Sequence, residues 1–342
     1  MICRTNDLPD PPLPLLITGV AGVAGYNAFH YFRERYPGQV IAMRPSNNWR
    51  LQGEGIVSCD VENAAELEKL FDEYRFASVL NCAGSCALKA CELDPEMANR
   101  INIVGVRNTL NEVTRREIRL VHLSIDLVFS GVGSGGYTES DSTDPVTVYG
   151  KTMSVAENMI QLGYPDACML RISLPMGISF NGHAGAIDWI QSRFKKGKPA
   201  TLYYDEVRTP TYVDCLSRVA QVVLANDMKG LYHAGGPREL SLYQIAQVIN
   251  RVGGYDPDLL MGCNRIEAGP IPPRAGNVTM RSNKLIDAIG FSPFDAWPID
   301  DRWSPTHRQW HYDRSDDEEN SADLLQRILY MNPKCPEPIQ IA

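Results

Sequence analysis

No uninterrupted apolar run in the 342 residues approaches the ~18–20 that a bilayer crossing needs, so no membrane span is expected. The first stretch, Met1 to Pro14, is polar and proline-rich, with Asp7 and Asp10 and no apolar core of signal-peptide length. A cytoplasmic protein is the expectation. Positive charge is scarce, with 33 Lys and Arg against 41 Asp and Glu and a formal net charge of −8. Without a basic stripe, nucleic-acid binding is excluded as the main purpose, because phosphate-backbone affinity rests on clustered Lys and Arg. The single dense basic run, Lys195-Lys196-Gly197-Lys198, reads as a solvated helix end. The nine cysteines are odd in number, and the three that cluster (Cys82, Cys86, Cys91) fit neither paired C-x2-C zinc ligation nor the ferredoxin-type iron–sulfur spacings. Reduced thiols and no metal are expected. His307 and His311 share a helical spacing but lack the following Glu of H-E-x-x-H.

What is present is an ordinary globular composition, 44% hydrophobic and 22% charged, long enough for about two domains. Leu13 to Thr18 is a short apolar run of the kind a buried parallel strand shows. Tyr26 to Tyr36 reads as an amphipathic helix stopped by Pro37-Gly38, and Gln39 to Met43 as the next strand. Gly55 to Ser58, Ala77 to Leu80, Arg119 to Leu123 and Ala167 to Ile172 continue the strands. Helices over Ala64 to Tyr74, Pro95 to Arg115 and from near Thr147 separate them. Such alternation predicts an α/β fold, a Rossmann-type doubly wound parallel sheet. The later chain is punctuated by Pro and Gly and suggests a smaller C-terminal substrate-binding lobe. The expected division is a nucleotide-binding domain over 13–173, rejoined by about 206–235, and a lobe over 174–205 and 236–314. An acidic tail and terminal helix over 315–342 reads as a surface appendage.

Between the first strand and the first helix lies Thr18-Gly19-Val20-Ala21-Gly22-Val23-Ala24-Gly25. Gly19 permits a tight turn, Gly22 admits a pyrophosphate to the backbone, and Gly25 allows close helix–strand packing. The helix N-terminus, with Val23 and Ala24, favours negative charge there. This strand–loop–helix context predicts dinucleotide binding. After the second strand the chain reads Met43-Arg44-Pro45, where a cation suits a 2′-phosphate, so NADP(H) is preferred with NAD(H) left open.

The spacing Gly-x-x-Gly-x-x-Gly resembles the extended short-chain dehydrogenase/reductases, which place an acidic residue like Asp60, followed here by Val61, against adenine. A closer resemblance follows from segments in order: Asn81-Cys82-Ala83-Gly84, Glu92 to Pro95 with Asn102, Ser124 to Gly131, Tyr149-Gly150-Lys151-Thr152, Arg208 to Asp214 and Pro273-Arg274-Ala275-Gly276-Asn277. Together they resemble the dTDP-4-dehydrorhamnose reductase family, which includes the regulatory β subunit of methionine adenosyltransferase. The resemblance implies Ala83 and Gly84 beside the cofactor and Arg274 and Asn277 on the substrate, a sugar nucleotide. It further implies a Ser or Thr hydroxyl that polarises the carbonyl, a Tyr that donates the proton and a Lys that holds the nicotinamide ribose.

Here only the Tyr, Tyr149, is kept. Ile125 stands where the hydroxyl belongs and Met153 where the Lys belongs, and Leu174 replaces a substrate-facing Trp. Lys151 lies about 200° round the helix from Tyr149 and is a poor substitute. Ser124 and Asp126 are the remaining candidates to assist. Two functions stay open: a reductase of a nucleotide-linked 4-keto-6-deoxysugar, or a nucleotide-binding regulatory or scaffolding protein, acting as a homodimer or on a protein partner.

Overall fold

A computed structural model describes residues 8–182, 185–315 and 319–334. Strand β1 (Leu15–Thr18) is wholly buried and runs through the glycine loop into helix α1 (Val23–Arg35), three residues earlier than the pattern of its aromatics suggests. β2 (Val40–Arg44), β3 (Ile56–Ser58), α2 (Ala64–Tyr74) and β4 (Ser78–Asn81) follow. Asn63 caps α2 by accepting the Glu66 N–H, and Asp94 caps the next long helical stretch by accepting that of Met97. A short α3 (Leu88–Leu93) precedes that stretch.

The stretch expected as one helix over Pro95 to Arg115 is three pieces: α4 (Pro95–Asn99), a π turn (Arg100–Val104) and α5 (Gly105–Arg116). Periodicity cannot reveal such a widened turn, since it adds one residue locally. It carries the buried Asn102. β5 (Arg119–Ile125), α6 (Val148–Gly163, capped by Thr147) and β6 (Cys168–Ile172) complete the first run. Beyond it lie β7 (Pro175–Met176), α7 (Ala186–Lys195), β8 (Ala200–Tyr203), β9 (Val207–Arg208), β10 (Thr211–Tyr212), α8 (Val213–Leu224) and β11 (Gly230–Ala234). β12 (Leu240–Ser241), α9 (Leu242–Val252), β13 (Leu260–Cys263), α10 (Asn283–Ile289) and α11 (Ala322–Leu325) follow.

Seven strands form one parallel sheet in the order β11-β6-β5-β4-β1-β2-β3. β1 pairs with β2 on one side and β4 on the other, from Leu15↔Ser78 to Thr18↔Asn81. The connections therefore diverge between β1 and β4, which opens a crevice beyond their carboxyl ends. Short pairs β7/β10, β9/β12 and β8/β13 stand apart from this sheet. No helix of the described residues is long and apolar enough to cross a membrane.

The terminal segment is not an appendage. Leu325 and Leu329 are fully buried, Trp297 Nε1 donates to the Leu329 carbonyl at 2.8 Å, and the Tyr212 hydroxyl donates to that of Ile328 at 2.7 Å. Its apolar residues recur at three- and four-residue steps, and this face outweighs the acidic run before it. Asp316 to Glu318, Met1 to Asp7 (with Cys3) and Cys335 to Ala342 lie outside the described residues.

His122 on β5 and His233 on β11 are buried, and burial lowers each pKa to about 4. The unfolded chain protonates both near pH 6.5, so between about pH 6.5 and 4 it binds more protons than the folded one. Stability should be full above about pH 6.5 and fall towards pH 4, by on the order of 3 kcal/mol for a fully buried histidine such as His122. Urea unfolding at pH 7 and 4.5 measures this, and His122→Gln should flatten the slope. In the same assay at pH 7, Leu329→Ala should cost about 2–5 kcal/mol, where a surface appendage would lose almost nothing.

Candidate functional site: a cleft at the strand crossover

Under the glycine loop the carboxyl ends of β1, β4 and β5 are joined by buried side chains. Thr18 Oγ1 donates to Asn81 Oδ1 at 2.6 Å, Asn81 Nδ2 lies 3.1 Å from His122 Nδ1, and the Ala83 N–H donates to Thr18 Oγ1 at 3.0 Å. These bonds hold Cys82 and Ala83 against Gly19. Gly19 has φ +67°, and a Cβ there would sit 2.3 Å from the Cys82 carbonyl oxygen. No L side chain fits. At Gly25 a Cβ would lie 2.4 Å from the Gly19 carbonyl oxygen, whereas at Gly22 the nearest atom is 3.6 Å away. Helix α1 begins with no side-chain cap and no acidic residue in its first turn. Its first N–H groups are thus left for an anion.

A cleft of about 800 Å³ opens over this loop. Gly19, Gly22, Val23, Ala24, Gly25, Asp60, Val61, Ala83, Gly84, Ser124, Tyr149 and Arg274 of the expected site residues all border it. Asp60 accepts from the Ser46 N–H at 2.8 Å and the Ser46 hydroxyl at 2.7 Å, which ties the loops after β2 and β3 together at one end. The residues fit a dinucleotide: a glycine cradle that a Cβ would fill, an uncapped helix end, and an acidic residue at the adenosine end.

Arg44 does not border the cleft. Its Nη1 donates to the Pro45 and Ser46 carbonyls and lies 3.2 Å from the Ser58 hydroxyl, while Nε and Nη2 make no hydrogen bond among the described residues. Asn277 is also outside. Its amide donates to the Ser134 carbonyl at 2.8 Å, and the residue braces two loops.

On the other wall stand Tyr149, Met153 and Ile125, all buried and all bordering the cleft. Lys151 is exposed on the far side of α6, as helical geometry requires. Burial first, then the neighbouring Cys86 and Asp126, pushes the Tyr149 phenol above its ordinary value. Its hydroxyl makes no hydrogen bond among the described residues. Ser124 donates its hydroxyl to Glu157, which is itself paired with Arg171 at 2.8 Å. Asp126 is fully buried, accepts from Arg208 Nε at 2.7 Å with a second bond to Arg208 Nη2, and takes the Ser173 hydroxyl at 2.6 Å. Both candidates to assist Tyr149 are therefore occupied by structural partners, because each sits where a buried charge needs neutralising.

Asn102, on the π turn, accepts the Ser85 N–H at 2.7 Å and donates to the Thr152 hydroxyl at 2.8 Å. It links the Gly84–Ser85 loop to the helix that carries Tyr149. Cleft residues that escaped the sequence reading include Ser46, Glu206 and the half-exposed Trp189. Glu206 had a signal, since it lies two residues before Arg208, the start of that segment of the family pattern. Trp189 had none.

A family model described as the RmlD substrate binding domain matches residues 13–298. The dTDP-4-dehydrorhamnose reductase of Mycolicibacterium smegmatis is 28% identical over 224 residues, 64% of this chain and 67% of that protein. Methionine adenosyltransferase 2 subunit beta of Xenopus tropicalis is 24% identical over 325 residues, 88% of this chain and 93% of that one. Among solved structures, dTDP-4-dehydrorhamnose reductase from Bacillus anthracis, in complex with NADP, aligns with a TM-score of 0.68 at 20% identity over 83% of this chain and 95% of that one. That likeness bears on fold. The family match spans the strand–loop–helix start, the Tyr149 helix and the Arg208 and Arg274 segments, and the chain belongs to the RmlD substrate binding domain family, that of the dTDP-4-dehydrorhamnose reductases.

Proposed function

We propose that the chain binds a nicotinamide dinucleotide over the glycine loop and acts as a dinucleotide-responsive regulatory or scaffolding protein with little turnover, its signal passing to a protein partner. The observation that carries this reading is an intact phosphate cradle facing a wall where Ile125 and Met153 stand at the two positions beside Tyr149. A bound reduced dinucleotide would supply a hydride, and a carbonyl acceptor would then need a proton. Tyr149 is the one candidate donor at that wall. A phenol near pKa 10 is a reluctant acid at neutral pH, and burial makes Tyr149 more so. Met153 offers no positive charge to offset this. Ile125 offers no hydroxyl to polarise a carbonyl, and Ser124 has already given its own to Glu157.

One observation favours a second reading. The Tyr149 hydroxyl makes no hydrogen bond among the described residues and Tyr149 borders the cleft, which suits slow reduction of a nucleotide-linked 4-keto-6-deoxysugar. On either reading the cofactor can be NADP(H) or NAD(H): Nη1 of Arg44 is held by its own loop, and Nε and Nη2 remain for a 2′-phosphate.

Fluorescence titration should show saturable binding of NADPH or NADH, and Gly19→Ala should weaken it at least tenfold, because a Cβ there meets the Cys82 carbonyl. NADPH oxidation with a dTDP-4-keto-6-deoxysugar should be near background for the native chain. Met153→Lys with Ile125→Thr should raise it about a hundredfold, the lower end of what a positioned acid–base group contributes. Robust native turnover abolished by Tyr149→Phe would reject the regulatory reading.

A further inference from the structure

The end of the cleft away from the glycine loop is built from charged residues whose charges cancel. Arg208 is only 4% exposed, and Asp126 holds its Nε and Nη2. Its remaining nitrogen, Nη1, lies 3.9 Å from Glu206 Oε1. On the other side of Glu206, Arg274 Nη1 lies 3.7 Å from Oε2, and the Arg274 guanidinium rests over the Tyr203 ring at 4.8 Å. Neither arginine is within hydrogen-bonding distance of Glu206 through these contacts. Glu206 Oε2 and Arg274 Nε are both buried with no hydrogen-bond partner among the described residues. Glu206, Arg208 and Arg274 all border the cleft, and Glu206 is 2% exposed.

A buried acceptor without a donor and a buried donor without an acceptor are a cost, and the structure holds both in the wall of this cleft. Two arginines alone would suit a diphosphate. Here two carboxylates share them, and the four side chains sum to zero.

We infer that Glu206 is a specificity-determining residue: by neutralising Arg208 and Arg274 it sets this end of the cleft for an uncharged, hydroxyl-bearing group and against a diphosphate. Glu206 Oε2 and Arg274 Nε have almost no surface open to the cleft, so Glu206 acts on a ligand there through its charge. A diphosphate in the same place would bring its negative oxygens against a buried carboxylate, where like charges are poorly screened. This rests on the cleft being a ligand site, as proposed above, but not on whether the protein turns over.

The test is calorimetric titration of the full chain with thymidine and with dTDP, in saturating NADPH so that the glycine loop is filled. The native protein should bind dTDP no more than threefold tighter than thymidine. Glu206→Gln keeps the shape and removes the charge. It should tighten dTDP at least tenfold and leave thymidine within twofold, with a thermal melt confirming the fold. Native dTDP binding more than tenfold tighter than thymidine would overturn the proposal, and so would an unchanged dTDP affinity in Glu206→Gln. If that variant does not fold, the native ratio alone decides. If NADPH fails to bind, the dinucleotide reading falls. The contrast between native and Glu206→Gln still reports on Glu206, because any dTDP at the glycine loop is common to both proteins.

Discussion

Everything at the cleft depends on how closely the backbone of Gly19 approaches that of Cys82. β1 and β4 are neighbours in the sheet, and their connections leave in opposite directions, so the loops that follow must separate at once. Gly19 turns at φ +67° with no room for a side chain, and the Thr18, Asn81 and His122 side chains lock the loop after β4 beneath it. The first turn of α1 is thereby aimed at the cleft with its N–H groups unspent. A binding surface made of backbone atoms on strand ends is indifferent to most side-chain changes around it. It survives as long as the small residues do.

The opposite wall follows a different rule, because its chemistry is carried by individual side chains. Tyr149 and position 153 are one helical turn apart on α6, and exchanging one side chain for Met removes a cation without disturbing the helix. The vacated polar role is not taken up nearby. Each polar group that could serve is bound to a buried charge of its own: Ser124 to Glu157 and its Arg171, Asp126 to Arg208. Breaking either buried pair leaves an uncompensated charge, which is costly. On the regulatory reading proposed above, gaining turnover would therefore call for new side chains at 125 and 153, not for new rotamers of the old ones.

This division also explains what could be read from the residues alone. The sheet, its strand sequence and the glycine loop were legible because buried parallel strands are continuous apolar runs and because only glycine meets the loop's geometry. The orientation of Lys151 followed from the angle per residue in a helix. The π turn at Arg100–Val104 was not legible, since a single widened turn is too short for the spacing of apolar residues to set it apart from ordinary helix. The bonds that Arg44 Nη1 makes to its own loop were not legible, because a charge at a given position in sequence says nothing about which carbonyls lie beside it. The terminal segment was misjudged for a related reason: the acidic run before it is conspicuous, while the cavity lined by Trp297 and Tyr212 that receives Leu329 is assembled from distant parts of the chain.

Asn102 shows how the two walls are coupled. The π turn brings its amide to the Ser85 N–H on one side and to the Thr152 hydroxyl on the other. The Thr152 hydroxyl in turn donates to the Tyr149 carbonyl at 2.8 Å. The Gly84–Ser85 loop, which borders the cleft, is thus tied to the helix turn that holds Tyr149 and Met153 through bonds that are buried or nearly so. The same linkage would align a proton donor with a ligand and, on the regulatory reading proposed above, would carry the presence of a ligand to α6. None of its bonds involves the side chain of Ile125 or Met153, so the linkage does not depend on the two positions that reduction would need.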